Sequence, residues 1–334
     1  MGLMASTGRT KTPTQAFSQS FLPLSWREQA SFAEPHFRRV VLPLRSGLEP
    51  THWITFADLP PTASVSALHA LLQDYLQHQG IQRWVIRGVH PRFFEPLEVE
   101  ALLTGREALL HLKNPEHVHR RSIRALARRG LRHGQITHFQ LHQDDLPTEL
   151  LTAYQRLKAR VALQHQVPLA HMYRRSLAQS DRLWIFCKAG SDQMLGAISV
   201  IAAGRSCWHT EVLIRDPNAP VGIMEALVQR VFDDLAREGF SYWSLGEVPF
   251  YPTAPPQDLK TRAIVYTGQH IEFAYRARGL FAFKQKFNPL WRPVYLCGSP
   301  RLYWPDLASM FWSSQASRLV LQKALAILKG KENL

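Results

Sequence analysis

Three stretches of the sequence decide the fold: CWHTEVLI at 207–214, VGIMEALVQRVFDDLARE at 221–238 and YWSL at 242–245. The first and the third are short runs rich in aromatic and β-branched residues, a composition that is typical of strands. The middle stretch repeats apolar residues at helical spacing, which predicts a long helix. The three stretches therefore predict a strand, a helix and a second strand in succession.

The residues before this unit extend the pattern. A strand is predicted at 137–141 and an amphipathic helix at 147–164. The runs 183–187 and 195–201, separated by a Gly-Ser-Asp turn, predict a hairpin. Helix, meander, strand, helix, strand is the order of the GCN5-related N-acetyltransferase (GNAT) fold, so we expect residues 134–300 to form a GNAT-like catalytic lobe.

The first third of the chain carries a weaker version of the same pattern. Residues 64–79 repeat apolar positions at helical spacing, with Ser64 as a suitable N-cap and Gly80 as a suitable stop. Strand-like runs lie on both sides of this helix, at 38–44, 52–56, 84–86 and 108–112. We expect residues 31–112 to form a degenerate GNAT-like lobe, although no repeated sequence links the two lobes.

The predicted fold class is therefore α/β (α+β), with two tandem GNAT-like lobes joined by a basic helix at 113–133. A chain of 334 residues is long enough for two such lobes. Residues 1–30 are rich in Ser, Thr, Gln and Pro, which indicates a disordered N-terminal arm. Residues 301–334 are predicted to form an amphipathic C-terminal helix, which either packs on the protein or lies in a membrane interface.

The composition favours a folded protein with polyanionic partners. Hydrophobic residues make up 46% of the chain and charged residues 20%, which excludes a protein that is disordered as a whole. The formal net charge of +14 favours nucleic acid, anionic lipid headgroups or phosphorylated substrates as partners. No apolar run is long enough to span a membrane and no secretory signal begins the chain, so we expect a cytoplasmic protein.

No cofactor and no metal site are predicted. The three cysteines, Cys187, Cys207 and Cys297, have no paired spacing, which argues against disulfides and against zinc. The sequence also lacks the Walker and Rossmann glycine patterns and shows no serine or cysteine nucleophile constellation. The chemistry is therefore expected to depend on other side chains.

A basic segment separates the two predicted lobes. Lys113 to Arg132 contains seven Lys or Arg residues and a single acid, Glu116. Four arginines fall on one side of the predicted helix, where they repel one another: Arg120, Arg121, Arg124 and Arg128. This face is predicted to bind the phosphates of an RNA backbone or of lipid headgroups. The alternative is a solvated face that is balanced by acids from elsewhere in the protein.

Three further segments carry a resemblance to a known family. They are EVLIRDPNAPVGIME at 211–225, SLGEVPF at 244–250 and GLFAFKQKFNPLWRPVYL at 279–296. In this order and at about these spacings they resemble the C-terminal catalytic domain of the phosphatidylglycerol lysyl- and alanyltransferases. The basic segment that ends in ARRG at 127–130 is similar to the charged helix between the two lobes of that family.

The resemblance implies an enzyme that accepts aminoacyl-tRNA and passes the aminoacyl group to a hydroxyl group, classically that of phosphatidylglycerol. Two departures bear on this expectation. The family's N-terminal transmembrane domain has no counterpart in the sequence, so either an anionic lipid is met at the inner membrane surface or the acceptor is not a lipid. The family's strand carries an acid three residues before its arginine, a position that is Val212 here. Glu211 stands one step earlier, and a shift of one residue in a strand turns a side chain to the opposite face.

The chemistry of aminoacyl transfer needs a donor ester held against a hydroxyl, a group that stabilises the oxyanion, and a proton acceptor. Arg215 ends a predicted strand and is a candidate for the oxyanion or a donor phosphate, or else forms a salt bridge at the rim. Glu247, in a strand-end loop, is a candidate for the donor ammonium group or a base, or else is a solvated loop residue. His209 is either a base or a packed strand histidine. The predicted catalytic residues are Arg215, Glu247, Lys284, His209 and Glu211.

The third segment supplies most of the predicted substrate contacts. Lys284 and Lys286 alternate with Phe283 and Phe287, a pattern that suits the phosphates and stacked bases of a tRNA acceptor end, or a lipid headgroup. The alternative is that the aromatic rings belong to the core and the lysines cover its rim. The predicted substrate-binding residues are Lys286, Trp291, Arg292, Gly222 and Gly246.

Two other function classes stay open at this point. An acyl-CoA-dependent GNAT N-acyltransferase would need backbone N–H groups around a pyrophosphate at a helix N-terminus. The corresponding stretch, DPNAPVG at 216–222, contains two prolines, each of which removes a donor, and a single glycine. A non-catalytic RNA- or membrane-binding protein would also fit the net charge.

Overall fold

The computed structural model describes residues 22–329, except 45–48, 63, 142–146, 166–168, 173, 175, 176, 178–180 and 205; for residues 162–165 it describes the helical backbone alone. The strands in these residues are β1 (Arg27–Glu28), β2 (His36–Val41), β3 (Thr51–Leu59), β4 (Arg83–Val89), β5 (Glu100–His111), β6 (Gly134–Gln140), β7 (Arg182–Lys188), β8 (Met194–Ala202), β9 (Cys207–Arg215), β10 (Tyr242–Pro249) and β11 (Leu290–Ser299). The helices are α1 (Val65–His78), α2 (Pro91–Phe94), α3 (Glu116–His119), α4 (Arg121–Leu131), α5 (Thr148–His165), α6 (Ile223–Arg237), α7 (Leu259–His270), α8 (Ala277–Gln285), α9 (Trp304–Ser313) and α10 (Ala316–Leu328).

The described strands form a single mixed sheet in the order β1-β3-β4-β11-β5-β10-β9-β8-β7-β6, and β2 pairs with β3. Two units repeat along this sheet. In β3-α1-β4 and again in β9-α6-β10, a helix joins two neighbouring parallel strands. The predicted α/β fold class and the predicted strand–helix–strand unit are therefore confirmed.

The two halves of the sheet exchange strands at its centre. β11, near the end of the chain, lies between β4 and β5 and is antiparallel to both. β5 belongs to the first half of the sequence but borders β10 of the second half. The lobe boundaries predicted from the sequence, 31–112 and 134–300, do not anticipate this exchange. Pairing between strands that are distant in the chain leaves no local signal in the sequence.

The second half of the sheet is covered by helices on both faces. Trp184 and Phe186 of β7 belong to the apolar cluster beneath α6, whereas Leu183 and Ile185 of the same strand pack in the cluster that contains Tyr154 of α5. All four β7 side chains are fully buried. This alternation is what a strand between two helical layers requires.

The first half has its own core, in which α1 packs as predicted. The hydroxyl of Ser64 accepts a hydrogen bond from the backbone N–H of Ala67 at 3.1 Å, which confirms the predicted N-cap. Residues 22–30, which the sequence assigned to a disordered arm, instead join this core: Trp26 is 1% exposed and pairs edge-on with Phe37. Residues 1–21 lie outside the described part of the chain.

The basic segment between the halves is broken into α3 and α4. Arg120 is the extended N-cap of α4 rather than a helical residue, so it does not share a face with the other three arginines. α4 buries Ile123, Ala127 and Gly130 towards α6. The C-terminal segment, predicted as a single helix, likewise forms two, α9 and α10. None of the helices described is both long and apolar enough to cross a membrane.

Candidate active site

The parallel strands β9 and β10 separate near the middle of the sheet. Their pairing stops at Ser244 and His209, although both strands continue beyond this point. Gly246 follows with a φ of 85°, a left-handed conformation that favours glycine. The separation leaves an opening in the sheet, bordered by Glu211 on β9 and Glu247 on β10.

The amine of Lys284, from α8, reaches this opening. Its Nζ donates a hydrogen bond to the backbone carbonyl of Glu247 at 2.9 Å, and the residue is 3% exposed. A Cβ atom on Gly246 would lie 3.5 Å from Lys284 Nζ and 3.7 Å from Cε1 of His209. The three residues therefore border one small space, which stays open because Gly246 has no side chain.

The carboxylate of Glu247 points to the other half of the protein. It forms an ion pair with the guanidinium of Arg87 on β4, which also donates to the carbonyl of Met172 at 3.2 Å. Glu247 thus contributes its carbonyl to Lys284 and its carboxylate to Arg87. The position of the amine depends on contacts from both halves of the sheet.

A buried charge cluster lies behind Lys284. Glu107 of β5 is 1% exposed, and one of its oxygens accepts from Nε and Nη2 of Arg292 at 2.7 and 2.6 Å. Burial alone would raise the pKa of Glu107, but the attraction of Arg292 and other neighbours lowers this pKa to about 2. The prediction that Arg292 binds substrate is corrected here, because its guanidinium is committed to Glu107.

The same surroundings set the protonation of the two candidate bases. Burial lowers the pKa of Lys284 to about 7, and the attraction of Glu247 and Glu107 opposes this shift without cancelling it. Burial also lowers the pKa of His209 to about 4, so its imidazole is neutral at pH 7. Nδ1 of His209 lies 3.2 Å from the hydroxyl of Ser244. Of these two candidate bases, Lys284 is therefore the one that changes charge near neutrality.

Glu211 lies two residues beyond His209, at a bulge of β9: Thr210 pairs with Val200 and Val212 with the next residue, Ser199, so Glu211 is the extra residue. One carboxylate oxygen accepts the backbone N–H of Arg174, while the other makes no hydrogen bond within the described residues. Burial raises the pKa of Glu211 to about 7. The guanidinium of Arg174 pairs with Asp58 at 2.8 Å, and its charge also opposes the rise in the pKa of Glu211. Within the described residues, Glu211 thus presents one buried oxygen without a hydrogen bond.

Three of the predicted residues make other contacts. Arg215 is six positions beyond His209, roughly 20 Å at the usual strand rise, and donates to the carbonyl of Ala219 at 2.5 Å. Lys286 forms an ion pair at 3.0 Å with Glu225 of α6. Trp291 stacks on Phe281, with ring centroids 5.2 Å apart, and the guanidinium of Arg106 lies 5.5 Å from the Trp291 ring.

The N-terminus of α6 is covered by the basic helix. A Cβ atom on Gly222 would overlap the carbonyl oxygen of Leu126, and one on Gly130 would overlap the backbone of Gly222. The two glycines therefore allow α4 and α6 to touch, and Gly222, predicted to bind substrate, is a packing residue. A pyrophosphate cradle at this helix N-terminus would need the space that α4 occupies.

Three arginines on the outer face of α4 remain exposed. They are Arg121, Arg124 and Arg128, which we call the arginine ridge. Within the part of the chain that the structure describes, none of the three lies within 4.0 Å of a carboxylate. Arg120 is different, because its Nη2 donates to the carbonyl of Lys286. The ridge therefore keeps its charge available to an external anion.

Several residues of the cluster escaped the sequence analysis. Arg87 and Glu107 each interrupt an apolar strand run, in RWVIRGV and EALLTGREALLH. A charge inside such a run is a usable signal, since charged residues are seldom buried without a partner. Arg174 gave no such signal, because it lies outside any periodic segment.

Comparisons with known proteins bear on the family and the fold of the chain. The family model described as "Phosphatidylglycerol lysyltransferase, C-terminal" matches residues 65–298. Phosphatidylglycerol lysyltransferase of Bacillus subtilis (strain 168) is 35% identical over 81 residues, which are 24% of this chain and 10% of that protein. The chain thus matches about a tenth of this relative's length.

Two solved structures share the fold. The structure of L-PGS from Bacillus licheniformis has a TM-score of 0.60 at 14% identity and covers 88% of each chain. A C-terminal DUF2156 domain from Agrobacterium fabrum has a TM-score of 0.60 at 16% identity and covers 88% of this chain and 86% of its own. The match over residues 65–298 shows that the chain belongs to the phosphatidylglycerol lysyltransferase C-terminal domain family.

Proposed function

We propose that the chain is an aminoacyltransferase that moves an amino acid from aminoacyl-tRNA to a hydroxyl group of a lipid such as phosphatidylglycerol. The observation that carries this proposal is the buried amine of Lys284 at the opening between β9 and β10. An amine with a pKa of about 7 exists in both forms near neutrality, as a group that accepts and returns a proton must.

Lys284 is proposed to act on the proton of the acceptor hydroxyl. The neutral amine takes this proton as the hydroxyl oxygen attacks the ester carbonyl of the donor, which forms a tetrahedral intermediate. The bond to the ribose oxygen then breaks, and the Lys284 ammonium returns the proton to that oxygen. Protons balance, because the one taken from the lipid ends on the ribose.

Glu211 is proposed to bind the α-ammonium group of the aminoacyl donor. Its carboxylate is buried at the bulge of β9, and one oxygen makes no hydrogen bond within the described residues. A cation there favours the ionised carboxylate and opposes the burial that raises the pKa of Glu211 to about 7. Glu247 is proposed to position Lys284 through its carbonyl, and the neutral His209 to line the space next to Gly246.

The donor's phosphates are proposed to lie on the arginine ridge. Its three guanidiniums are exposed and each contact with a phosphate would release counterions. We also propose that Arg215 contacts the donor from the end of β9 rather than at the reacting carbonyl, given its distance along the strand. Trp291, with Phe281 and Arg106, offers a stacking surface of the kind that unpaired bases use.

The alternatives have less support. An acyl-CoA donor is disfavoured by the contact between Gly222 and Leu126, which covers the N-terminus of α6. A purely binding protein would gain nothing from a buried lysine whose pKa lies near 7, since burial of an amine costs stability.

The proposal is tested with tRNA charged with a labelled amino acid and with phosphatidylglycerol dispersed in detergent. We expect the label to appear in the organic extract with the wild-type protein, and not with Lys284→Ala. Acetyl-CoA in place of charged tRNA should leave the lipid unmodified. If no charged tRNA loses its amino acid while acetyl-CoA is consumed, the proposal is wrong.

A further inference from the structure

The two C-terminal helices carry large apolar side chains on their outer surface. Leu321, Leu325 and Leu328 of α10 are 60%, 44% and 82% exposed, and Trp312 at the end of α9 is 72% exposed. The leucines follow one another at i, i+4 and i+7, so they lie on one side of the helix. We call these four residues the C-terminal apolar stripe.

The stripe is not what holds the helices on the protein. α9 packs through Leu307 and Met310 on the cluster around Leu302, and the guanidinium of Arg83 lies 3.3 Å from Asp306. α10 buries Leu319 on its other side. The inward faces therefore carry the attachment, while the outward leucines remain 44–82% exposed.

The charge around the stripe has one sign. From 307 to 331 the sequence contains no acid, and its basic residues are Arg318, Lys323, Lys329 and Lys331. Arg318 and Lys329 are exposed beside the stripe, while Lys331 lies outside the described residues. An exposed row of leucines flanked by cations, together with an exposed tryptophan on the preceding helix, matches the interface of an anionic bilayer.

We propose that the C-terminal apolar stripe docks the protein on the surface of an anionic lipid membrane. The leucines enter the boundary between headgroups and acyl chains, Trp312 lies at headgroup level, and Arg318 and Lys329 contact lipid phosphates. A second copy of the chain is a poorer occupant, because a symmetric contact would bring the same cations together. The inference rests on the proposed function for its purpose, since docking brings the acceptor lipid to the enzyme.

Co-sedimentation with vesicles tests the inference. The probes are vesicles of phosphatidylcholine alone and of phosphatidylcholine mixed with phosphatidylglycerol. We expect the wild-type chain to bind the mixed vesicles, less so at high salt, and the combined variant Leu321→Asn, Leu325→Asn, Leu328→Asn to bind at least about tenfold more weakly. Leu259→Asn is the matched control, because Leu259 is 73% exposed on α7, outside the stripe.

Equal binding by the wild-type chain and the combined variant overturns the inference. So does a dimer in solution that the combined variant converts to a monomer, or a wild-type chain that binds neither kind of vesicle. Circular dichroism shows whether the variant keeps its fold.

Failure of the proposed function has a different signature. Transfer to a short-chain, water-soluble phosphatidylglycerol does not need docking, so the combined variant should retain it. A chain that binds mixed vesicles but transfers no amino acid would contradict the proposed function and leave the docking surface standing.

Discussion

The amine nitrogen of Lys284 lies 2.9 Å from the carbonyl oxygen of Glu247, at the place where β9 and β10 part. This contact joins α8, near the C-terminal end of the chain, to a strand of the central sheet. It fixes a titratable amine next to the space above Gly246. The proposed chemistry follows from this position, because a side chain held there borders the opening in which we propose that the acceptor hydroxyl meets the donor ester.

Replacing Lys284 should abolish most of the transfer while its neighbour tolerates the same change. We expect Lys284→Ala to lower kcat at least tenfold, which corresponds to about 1.4 kcal/mol in the transition state. Lys286→Ala is the comparison, since the Lys286 side chain is 46% exposed and pairs with the buried Glu225 of α6 rather than entering the opening. The measurement is single-turnover transfer from charged tRNA. Equal losses in both variants would mean that the lysines act only through folding or general charge.

The pH dependence should report two ionisations near neutrality. Lys284, with a pKa of about 7, must lose its proton to act as a base, and Glu211, with a pKa of about 7, must lose its proton to bind an ammonium group. Both requirements make kcat/KM rise as the pH increases through about 7, with a slope approaching two on a logarithmic plot.

Substitutions separate the two ionisations. Glu211→Gln removes one of them, so the slope below pH 7 should fall towards one and KM for the donor should increase. His209→Gln should leave the rise near pH 7 in place, because the pKa of His209 is about 4. A profile of Glu211→Gln that is as steep as the wild-type profile would exclude Glu211 from the titration.

The sequence predicted the secondary elements better than the way they combine. The spacing of apolar residues placed α1 and α6, and Ser64 marked a helix start, because these signals are local. The insertion of β11 between β4 and β5 pairs Leu290–Ser299 with strands far away in the chain, and no residue type encodes such a partner. The exchange of strands could therefore be seen only in three dimensions.

The same distinction applies to the site. Lys284 was identified from its segment, but as a lysine that reaches out to a ligand, whereas it is buried. Its burial depends on the parting of β9 and β10 and on Arg87 and Glu107, which come from the other half of the chain. The ion pair of Arg292 could not be predicted for the same reason, since its partner Glu107 is distant in sequence.

The contact between α4 and α6 should be sensitive to a single methyl group. Gly222→Ala would place a Cβ atom against the carbonyl of Leu126 in addition to the strain of a φ of 100°. Gly239→Ala is the control, because its φ is 86° and its Cβ atom would meet nothing within 4 Å. Urea denaturation should show a loss of about 1–2 kcal/mol for Gly239→Ala. For Gly222→Ala we expect about 1–3 kcal/mol more, from overpacking; equal losses would mean that α4 can move away without cost.

The arginine ridge should set the salt dependence of RNA binding. Changing Arg121, Arg124 and Arg128 together to Gln removes three phosphate contacts, each of which contributes about 0.7–0.9 to the slope of log K against log salt concentration. We therefore expect the slope for uncharged tRNA to fall by about two to three. Arg237→Gln is the control, because Arg237 is exposed on α6 but bound to Asp234 at 3.2 Å, so its slope should match the wild type. If the slope of the triple variant is unchanged, the RNA binds another surface. If Arg237→Gln lowers the slope by the same amount, the effect comes from net charge alone and not from the ridge.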